Sequence, residues 1–350
     1  MFELNNHSVW QIGWKNVTAE VYAEVEDLLQ QHYAVNAVDL VEQVDEWEQA
    51  SNNYRATCDV AGNAEYILVR RHIVSRPEDI RAAGEVLAHL WQSGVSVPRI
   101  ISPVDGQSVI MVNGASWQAF DFIAGDHFRG DENQLMQAAA ATARMHQALP
   151  SFPHKEIVTH VDVVVGPLRV DYWDAILRIS GANPFELMLE EQYAFVREKT
   201  RDTVEALLAI QEQDDIIHGD IHPQNFLFSD DMLAAIIDFG NMARADQMYD
   251  IAMACHRLVR QYIVHAGRPW EDMLADGVRL FLGSYTAAYP LEEARVRLLP
   301  AFADALLLRK MAHNLNLYRA GRRVWEESLS QWERFFLFMD EVDAIRTVMP

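Results

Sequence analysis

Residues 216–240 read IIHGDIHPQNFLFSDDMLAAIIDFG, and the fold is decided here. Ile216-Ile217, Phe226 to Phe228 and Ala234 to Ile237 are apolar runs too short for helices, so they read as strands. His218, Asp220, His222, Asn225 and Asp238 then fall on the loops between them. Polar side chains on loops braced by rigid strands are placed for chemistry more than for packing. Asp220 and Asn225 stand five apart, and Asp238 follows thirteen residues later at the end of the third run. Hard oxygen donors of this kind suit Mg²⁺, which keeps several waters and takes one or two carboxylates together with substrate phosphates. Phosphoryl transfer needs a carboxylate to accept the proton of an attacking hydroxyl, and an amide and a second carboxylate to hold the metal that bridges the phosphates. The segment supplies one residue for each task. Read without chemistry, the same residues are turn formers in a meander of three strands, which leaves the joint occurrence of HGDxHxxN and IDFG unexplained.

Outward from this segment the chain divides in character. After about residue 130 helical periodicity dominates, beginning with the Ala-rich stretch QLMQAAAATARMHQAL and continuing at about 187–212, 249–263, 270–287, 292–319 and 324–345. The first third instead alternates strand signals with turns. Val21, Val25, Leu28 and Leu29 mark an opening amphipathic helix, and runs around Val38–Val44, Tyr54–Val60 and Tyr66–Arg71 read as strands. Ala61-Gly62-Asn63-Ala64 joins the last two as a hairpin turn. Glu78–Gln92 reads as a helix stopped by SGVSVP, and Val97–Ile101, Val109–Val112 and Trp117–Ile123 as further strands. The expected architecture is therefore α+β and bilobal, with an antiparallel-sheet lobe over 1–123 and a larger, mainly helical lobe over 124–350.

Composition narrows the function classes. Of 350 residues, 50% are apolar and 23% charged, a globular balance that excludes disorder. With 29 basic and 51 acidic residues the net charge is −22, which repels phosphate backbones and anionic membrane surfaces, so no nucleic acid and no membrane partner is expected. The same field would draw in a cationic small molecule, or it is simply a solvated acidic surface. Cys58 and Cys255 are too few for a disulfide framework, which suggests a cytoplasmic setting. The N-terminus lacks a basic n-region and an apolar h-region, and no window approaches eighteen uninterrupted apolar residues. Zinc spacings, GxSxG and GxxxxGK[ST] do not occur.

HGDIHPQN together with IIDFG resembles the catalytic motif of the aminoglycoside phosphotransferase and choline kinase superfamily, which has the bilobal protein-kinase-like fold. AAATARMHQALP, YDIAMACHRL and the hairpin QASNNYRATCDVAGNAEYILVRR extend the likeness over nearly the whole chain. The resemblance implies Asp220 as the catalytic base, Asn225 and Asp238 as Mg²⁺ ligands, and His218 and Asp250 as supports of the loop. It implies ATP contacts from Arg70, from the turn Ala50-Ser51-Asn52-Asn53, notably Ser51 and Asn53, and from Asp121, Phe122 and Ile123, where such kinases hydrogen-bond adenine through the backbone. The run IIDFGNMARADQMYDIAMA looks nearer the homoserine kinase and hydroxylysine kinase branches.

Three departures bear on this. Arg70 stands where many kinases have Lys, although a guanidinium also forks onto phosphate oxygens, and strand alternation lets only one of Arg70 and Arg71 face the cleft. The helix DIRAAGEVLAHL puts Ala83 at the position of the usual acidic partner, with Glu85 nearby. The nucleotide turn lacks its usual glycine. The expected activity is ATP- and Mg²⁺-dependent transfer of the γ-phosphoryl group to a hydroxyl of a small, amine-bearing molecule: an amino alcohol, a hydroxy amino acid or an aminoglycoside. The rival is a catalytically silent, kinase-like nucleotide-binding regulator. Asp246, Asp250, Glu271, Asp272, Asn314 and Tyr318 are the candidates for lining the acceptor site. Trp325, Trp332, Phe335, Phe336 and Phe338 fit an aromatic cage for a quaternary ammonium, or more simply a core stripe. Motif and fold set neither the acceptor nor the oligomeric state.

Overall fold

Thr18, whose hydroxyl accepts the Val21 N–H, opens α1 (Ala19–His32), which turns Val25, Leu28 and Leu29 inward. The computed structural model describes residues 13–44, 51–60, 63–73, 75–161, 168–176, 182–209 and 213–349. Helix α1 covers one face of an antiparallel sheet built from β1 (Trp14–Asn16), β2 (Ala37–Val44), β3 (Ser51–Val60), β4 (Asn63–His72), β5 (Ile100–Ile101), β6 (Ile110–Val112) and β7 (Ala115–Asp121). The order is β1-β2-β3-β4-β7-β5, with β6 also on β7. Val38, Val41, Tyr54, Ala56, Val69 and Trp117 form the core under α1. The opposite face looks onto α2 (Pro77–Gln92) and the cleft. At Gly84 of α2 a Cβ would lie 3.1 Å from Gln118 Nε2 and 3.2 Å from Ile100 Cδ1, so the glycine lets this helix sit close on the sheet.

Beyond β7 the chain is mainly helical. After β8 (Asp126–His127), Asp131 caps α3 (Glu132–Ala148) by accepting the Gln134 N–H at 2.8 Å. Helices α4 (Val170–Ile176) and α5 (Pro184–Leu208) precede β9 (Asp215–Ile217), β10 (Phe226–Ser229), β11 (Met232–Ile236) and β12 (Ala243–Ala245). Then come α6 (Met248–Ala266), α7 (Trp270–Ala288), α8 (Glu293–Val296), α9 (Leu299–Arg319) and α10 (Trp325–Val348). The short strands form two small antiparallel sheets, β11-β10-β8 and β12-β9, which hold the loops of the 216–240 segment. No helix among the described residues is long and apolar enough to cross a membrane.

Several expected boundaries move. The helical pattern over 292–319 is two helices, because the chain breaks at Arg297-Leu298 and restarts with Pro300, which lacks an N–H and suits a first turn. Strand pairing resumes at Asn63, opposite Val60, so Asn63 and Ala64 are strand while Ala61-Gly62 lie outside the described residues. Val97–Ile101 contributes only Ile100–Ile101 to the sheet, and α4 carries no strong sequence signal. The largest correction concerns the nucleotide turn: Ser51, Asn52 and Asn53 are strand residues paired with His72, Arg71 and Arg70, because continuing the ladder outweighs the turn preference of Asn. Residues 45–50, including Ala50, lie outside the described residues, as does the Ser51 side chain.

Candidate active site

Strand alternation decides which arginine enters the cleft. On β4, Arg71 faces α1, 3.7 Å from Glu24 and over the Trp117 ring, whereas Leu68, Arg70 and His72 face the other way. Arg70 Nη1 donates to Asp238 Oδ1 at 2.9 Å, and Nε donates to Asn53 Oδ1 at 2.7 Å. One guanidinium thus ties the sheet to the segment that decides the fold. Helix α2 gives Arg70 no acid: Ala83 lines the cleft, Glu85 is exposed, and Asp79, one turn earlier, is held by Arg76 and Thr159. Asp238 itself is the carboxylate that pairs with Arg70.

Asp238 follows β11 with φ 65° and ψ 61°, a left-handed conformation unusual for a residue with a side chain. That backbone ends the strand and turns the carboxylate into the cleft. Burial pushes its pKa up, but the charges of Arg70 and His218 outweigh burial and the repulsion from Asp220, leaving the group below the ordinary carboxylate range.

The loop carrying Asp220 hangs from α6. Asp250 accepts the backbone N–H groups of His218 at 2.6 Å and Gly219 at 2.9 Å. It is braced in turn by His146 at 3.2 Å, whose other ring nitrogen meets the Tyr285 hydroxyl at 2.8 Å. His218 Nε2 lies 2.9 Å from the carbonyl oxygen of Ile237, an acceptor only, so that nitrogen carries the proton. Gly219 has φ +81°, and a Cβ there would sit 2.2 Å from the Asn241 carbonyl oxygen, so only glycine fits. Asn225 closes the loop: its Nδ2 donates to Asp220 O at 2.7 Å and its carbonyl accepts the Ile237 N–H at 2.9 Å.

The Asp220 carboxylate has three polar neighbours. Asn241 Nδ2 donates to Oδ2 at 3.2 Å, His222 Nε2 stands 3.7 Å from Oδ2, and Lys310 Nζ of α9 stands 3.5 Å from Oδ1. The His222 contact is too long for a hydrogen bond. Burial alone would raise the Asp220 pKa, but His222, Lys310 and His218 together hold it well below the carboxylate range.

Between Arg70 and β7 runs an open cleft, lined by Leu68, Phe120, Ile123, Leu227 and Ile237 on its apolar walls and reaching Asp238 at one end. Asp121, Phe122 and Ile123 all border it. Asp121 commits its carboxylate and N–H to Arg99, and the Phe122 N–H reaches Tyr66 O at a long 3.4 Å. For Ile123 no backbone partner of the N–H is found among the described residues. His72, against Gln118 at 3.0 Å, has its pKa pushed down to about 4 by burial and by Arg70, so it is neutral near pH 7.

Residues the sequence left out also border the site: Trp14, His72 and Gln118 in the cleft, Asn241 and Lys310 beside Asp220. Asn241 sits just after IDFG, and that adjacency was a readable signal; Lys310 is brought in by tertiary packing alone. The acceptor-site candidates do not gather. Asp246 is buried under Arg295, Asp250 is consumed by the loop, Glu271 and Asp272 start α7, Asn314 is buried, and Tyr318 bonds Glu186 and Asn183. Trp332 packs edge-on against Trp173, Phe185 and Phe336, a core stripe.

Among the described residues no three His, Cys, Asp or Glu side chains are grouped to hold a metal ion. Mg²⁺ does not need such a group: one carboxylate and one amide oxygen beside a triphosphate suffice, and Asp238 with Asn225 offers that set. Asn225 spends its NH₂ on Asp220, so the side-chain oxygen is the atom that could ligate a metal.

A model of the phosphotransferase enzyme family matches residues 46–291. Homoserine kinase of Rhodopseudomonas palustris strain BisA53 is 26% identical over 276 residues, covering 77% of this chain and 78% of that one. Homoserine kinase of Methylobacillus flagellatus is 27% identical over 298 residues, covering 81% and 83%. A spectinomycin phosphotransferase solved with ADP and spectinomycin superposes with a TM-score of 0.70 over 95% of this chain and 99% of its own, at 12% identity. Amicoumacin kinase hAmiN, solved with AMP-PNP, Ca²⁺ and Ami, gives 0.63 over 94% of both chains at 16% identity. The fold is the bilobal, protein-kinase-like one.

Proposed function

The chain belongs to the phosphotransferase enzyme family as a small-molecule kinase, and from that premise we propose that it transfers the γ-phosphoryl group of ATP, with Mg²⁺, to a hydroxyl of a small amine-bearing acceptor: an amino alcohol, a hydroxy amino acid or an aminoglycoside. The observation that carries this reading is that Arg70 and Asp238 line one end of an apolar cleft, while Asn225, whose backbone carbonyl accepts the N–H of Ile237 next to Asp238, bonds the Asp220 backbone. Leu68, Phe120, Ile123, Leu227 and Ile237 would enclose the adenine, with main-chain groups of Asp121–Ile123 at its edge. Arg70, with Asn53 beside it on β3, binds the phosphates, for which it leaves Asp238. Asn225 and Asp238 would hold Mg²⁺, which when bound would neutralise negative charge on the phosphates. Asp220 accepts a hydrogen bond from the acceptor hydroxyl and aims its oxygen at the γ-phosphorus. As the new O–P bond forms and the bond to the β-phosphate oxygen breaks, the hydroxyl proton passes to Asp220 and ADP departs. A carboxylate held this far below its usual range stays ionised, so it orients the nucleophile throughout and takes the proton late. The buried free thiols of Cys58 and Cys255 suit a cytoplasmic setting.

The test is a panel of hydroxylated amines and amino acids incubated with ATP and Mg²⁺, with ADP release measured. Asp220→Asn and Asp238→Ala are each expected to lower turnover about a hundredfold or more with the fold intact by circular dichroism. Turnover in either variant at the wild-type level removes the assigned role, and nucleotide binding without turnover of any acceptor favours the silent regulator.

A further inference from the structure

Strand β1 is an edge of the sheet, yet it comes back over the nucleotide cleft. The order β1-β2-β3-β4-β7 puts four strand steps between Trp14 on β1 and Phe122, which follows β7, and in a flat sheet four steps span about 19 Å. The two ring centres are 5.7 Å apart, edge to face. The sheet is therefore strongly curled, and its first strand meets the segment that leaves β7. Arg55 fills the curl. Its guanidinium carbon lies 4.6 Å from the centre of the Trp14 ring, 5.4 Å from that of Phe122 and 5.8 Å from that of Tyr66. Glu42 anchors it, accepting Nε at 3.1 Å and Nη2 at 2.5 Å. Register explains the meeting: Glu42, Arg55, Leu68 and Phe120 pair across successive strands, and Leu68 and Phe120 line the cleft, so Arg55 stands on the cleft side of the sheet.

Trp14 lines the cleft along with Phe122 and Ile123. An indole resting on a guanidinium could be packing alone, but Trp14 belongs to neither hydrophobic core of the described residues, and the core of its own sheet lies on the opposite face, under α1. A half-buried indole outside both cores, fixed by a paired cation, offers apolar surface to whatever occupies the cleft. We propose that Trp14 forms the outer wall of the nucleobase subsite: Arg55 and Phe122 hold the indole at the mouth of the cleft, and the base of the bound nucleotide packs against it. This rests on the reading of the cleft as a nucleotide site. A planar base gains from such a contact through its π-face and the water it excludes, whereas the triphosphate, received by Arg70, gains nothing. The contact is the same before and during phosphoryl transfer, so its loss falls on the KM for ATP and spares kcat.

The experiment titrates the full chain calorimetrically with AMP-PNP or with inorganic tripolyphosphate, each with Mg²⁺, and measures KM and kcat for ATP by ADP release. Stacking of a base on an aromatic side chain corresponds to about a fivefold to a hundredfold change in affinity. Trp14→Ala is expected to weaken AMP-PNP binding by about tenfold or more while tripolyphosphate stays within about twofold, and the KM for ATP should rise in step at unchanged kcat. Trp14→Phe keeps a ring at the mouth and restores most of the AMP-PNP affinity. A merely structural role predicts equal losses for both ligands. Fluorescence gives a second reading that holds even where Trp14→Ala folds poorly: AMP-PNP, unlike tripolyphosphate, changes the emission of the wild type, and Trp14→Phe loses most of that change. Unchanged AMP-PNP affinity in Trp14→Ala, equal losses for the two ligands, a fall in kcat at constant KM, or an emission change of the same size in Trp14→Phe overturns the proposal. Trp14-dependent binding of AMP-PNP without turnover of any acceptor supports the base wall and favours the silent regulator over the kinase reading. Turnover with an ATP affinity indifferent to Trp14 leaves the kinase reading standing while this one fails.

Discussion

Replacing Arg70 by Ala removes the one side chain that bridges the sheet to Asp238. Its Nη1 holds Asp238 at 2.9 Å and its Nε holds Asn53 at 2.7 Å, and only 13% of the side chain is exposed. A charge-assisted phosphate contact from such an enclosed guanidinium contributes about 1.5–3 kcal/mol. Against that stands the pair with Asp238, which must be given up on binding. The Asp238 side chain is 42% exposed, so solvent screening limits that pair to about 0.5 kcal/mol. The difference, about 1–2.5 kcal/mol, corresponds to a roughly five- to seventyfold weaker Kd for nucleotide in Arg70→Ala. Calorimetric titration with AMP-PNP and Mg²⁺ measures it directly, and Arg71→Ala is the internal control, because Arg71 faces Glu24 and Trp117 on the other side of the sheet. An unchanged Kd in Arg70→Ala, or an equal loss in Arg71→Ala, refutes the assignment of Arg70 to the phosphates and the alternation on which it rests.

Two further perturbations follow from the loop and the sheet. Gly219→Ala places a methyl 2.2 Å from the Asn241 carbonyl oxygen in a left-handed backbone, so the loop must shift; turnover should fall by about tenfold or more and thermal stability by about 1–3 kcal/mol, and wild-type values for both would show that the loop is not held as described. His72 has a folded-state pKa of about 4, below the unfolded value near 6.5, so the unfolded chain takes up the proton first as pH falls. Its contribution is complete above about pH 6.5 and is lost between about 6.5 and 4, up to about 3 kcal/mol. Urea midpoints of wild type should therefore fall more steeply over that window than those of His72→Gln, and parallel slopes would contradict a buried neutral imidazole.

What the sequence revealed, and what it hid, divides along range. The 216–240 segment was legible because its strands, loops and polar residues lie within one short window, and its glycine and aspartates mark turns that local backbone chemistry enforces. Arg70 over Arg71 was legible for the same reason, since alternation along a strand is a local rule. The turn at Ala50–Asn53 was misplaced because a cross-strand partner, His72 to Arg70, extended the ladder through residues that locally favour a turn. The missing acid on α2 was readable as an absence, but the replacement, Asp238 on another element 168 positions away, depends on how two regions dock. Lys310 is a further case: nothing adjacent to it in the chain marks it, and only the packing of α9 brings it within 3.5 Å of Asp220.

The same contrast explains why a net charge of −22 says little about the acceptor. At physiological ionic strength the screening length is about 8 Å, so most of the acidic surface is electrostatically remote from the reacting atoms. What Asp220 and Asp238 experience is set by their contacts, and both have a cation within 4 Å: Lys310 at 3.5 Å and Arg70 at 2.9 Å. Each carboxylate is therefore already compensated, and Asp238 is besides 42% exposed, which is why both remain ionised. On the proposed reading, binding becomes an exchange of partners: Asp238 would give up Arg70 for Mg²⁺ while Arg70 turns to the phosphates, so that neither the carboxylate nor the guanidinium is left without an opposite charge.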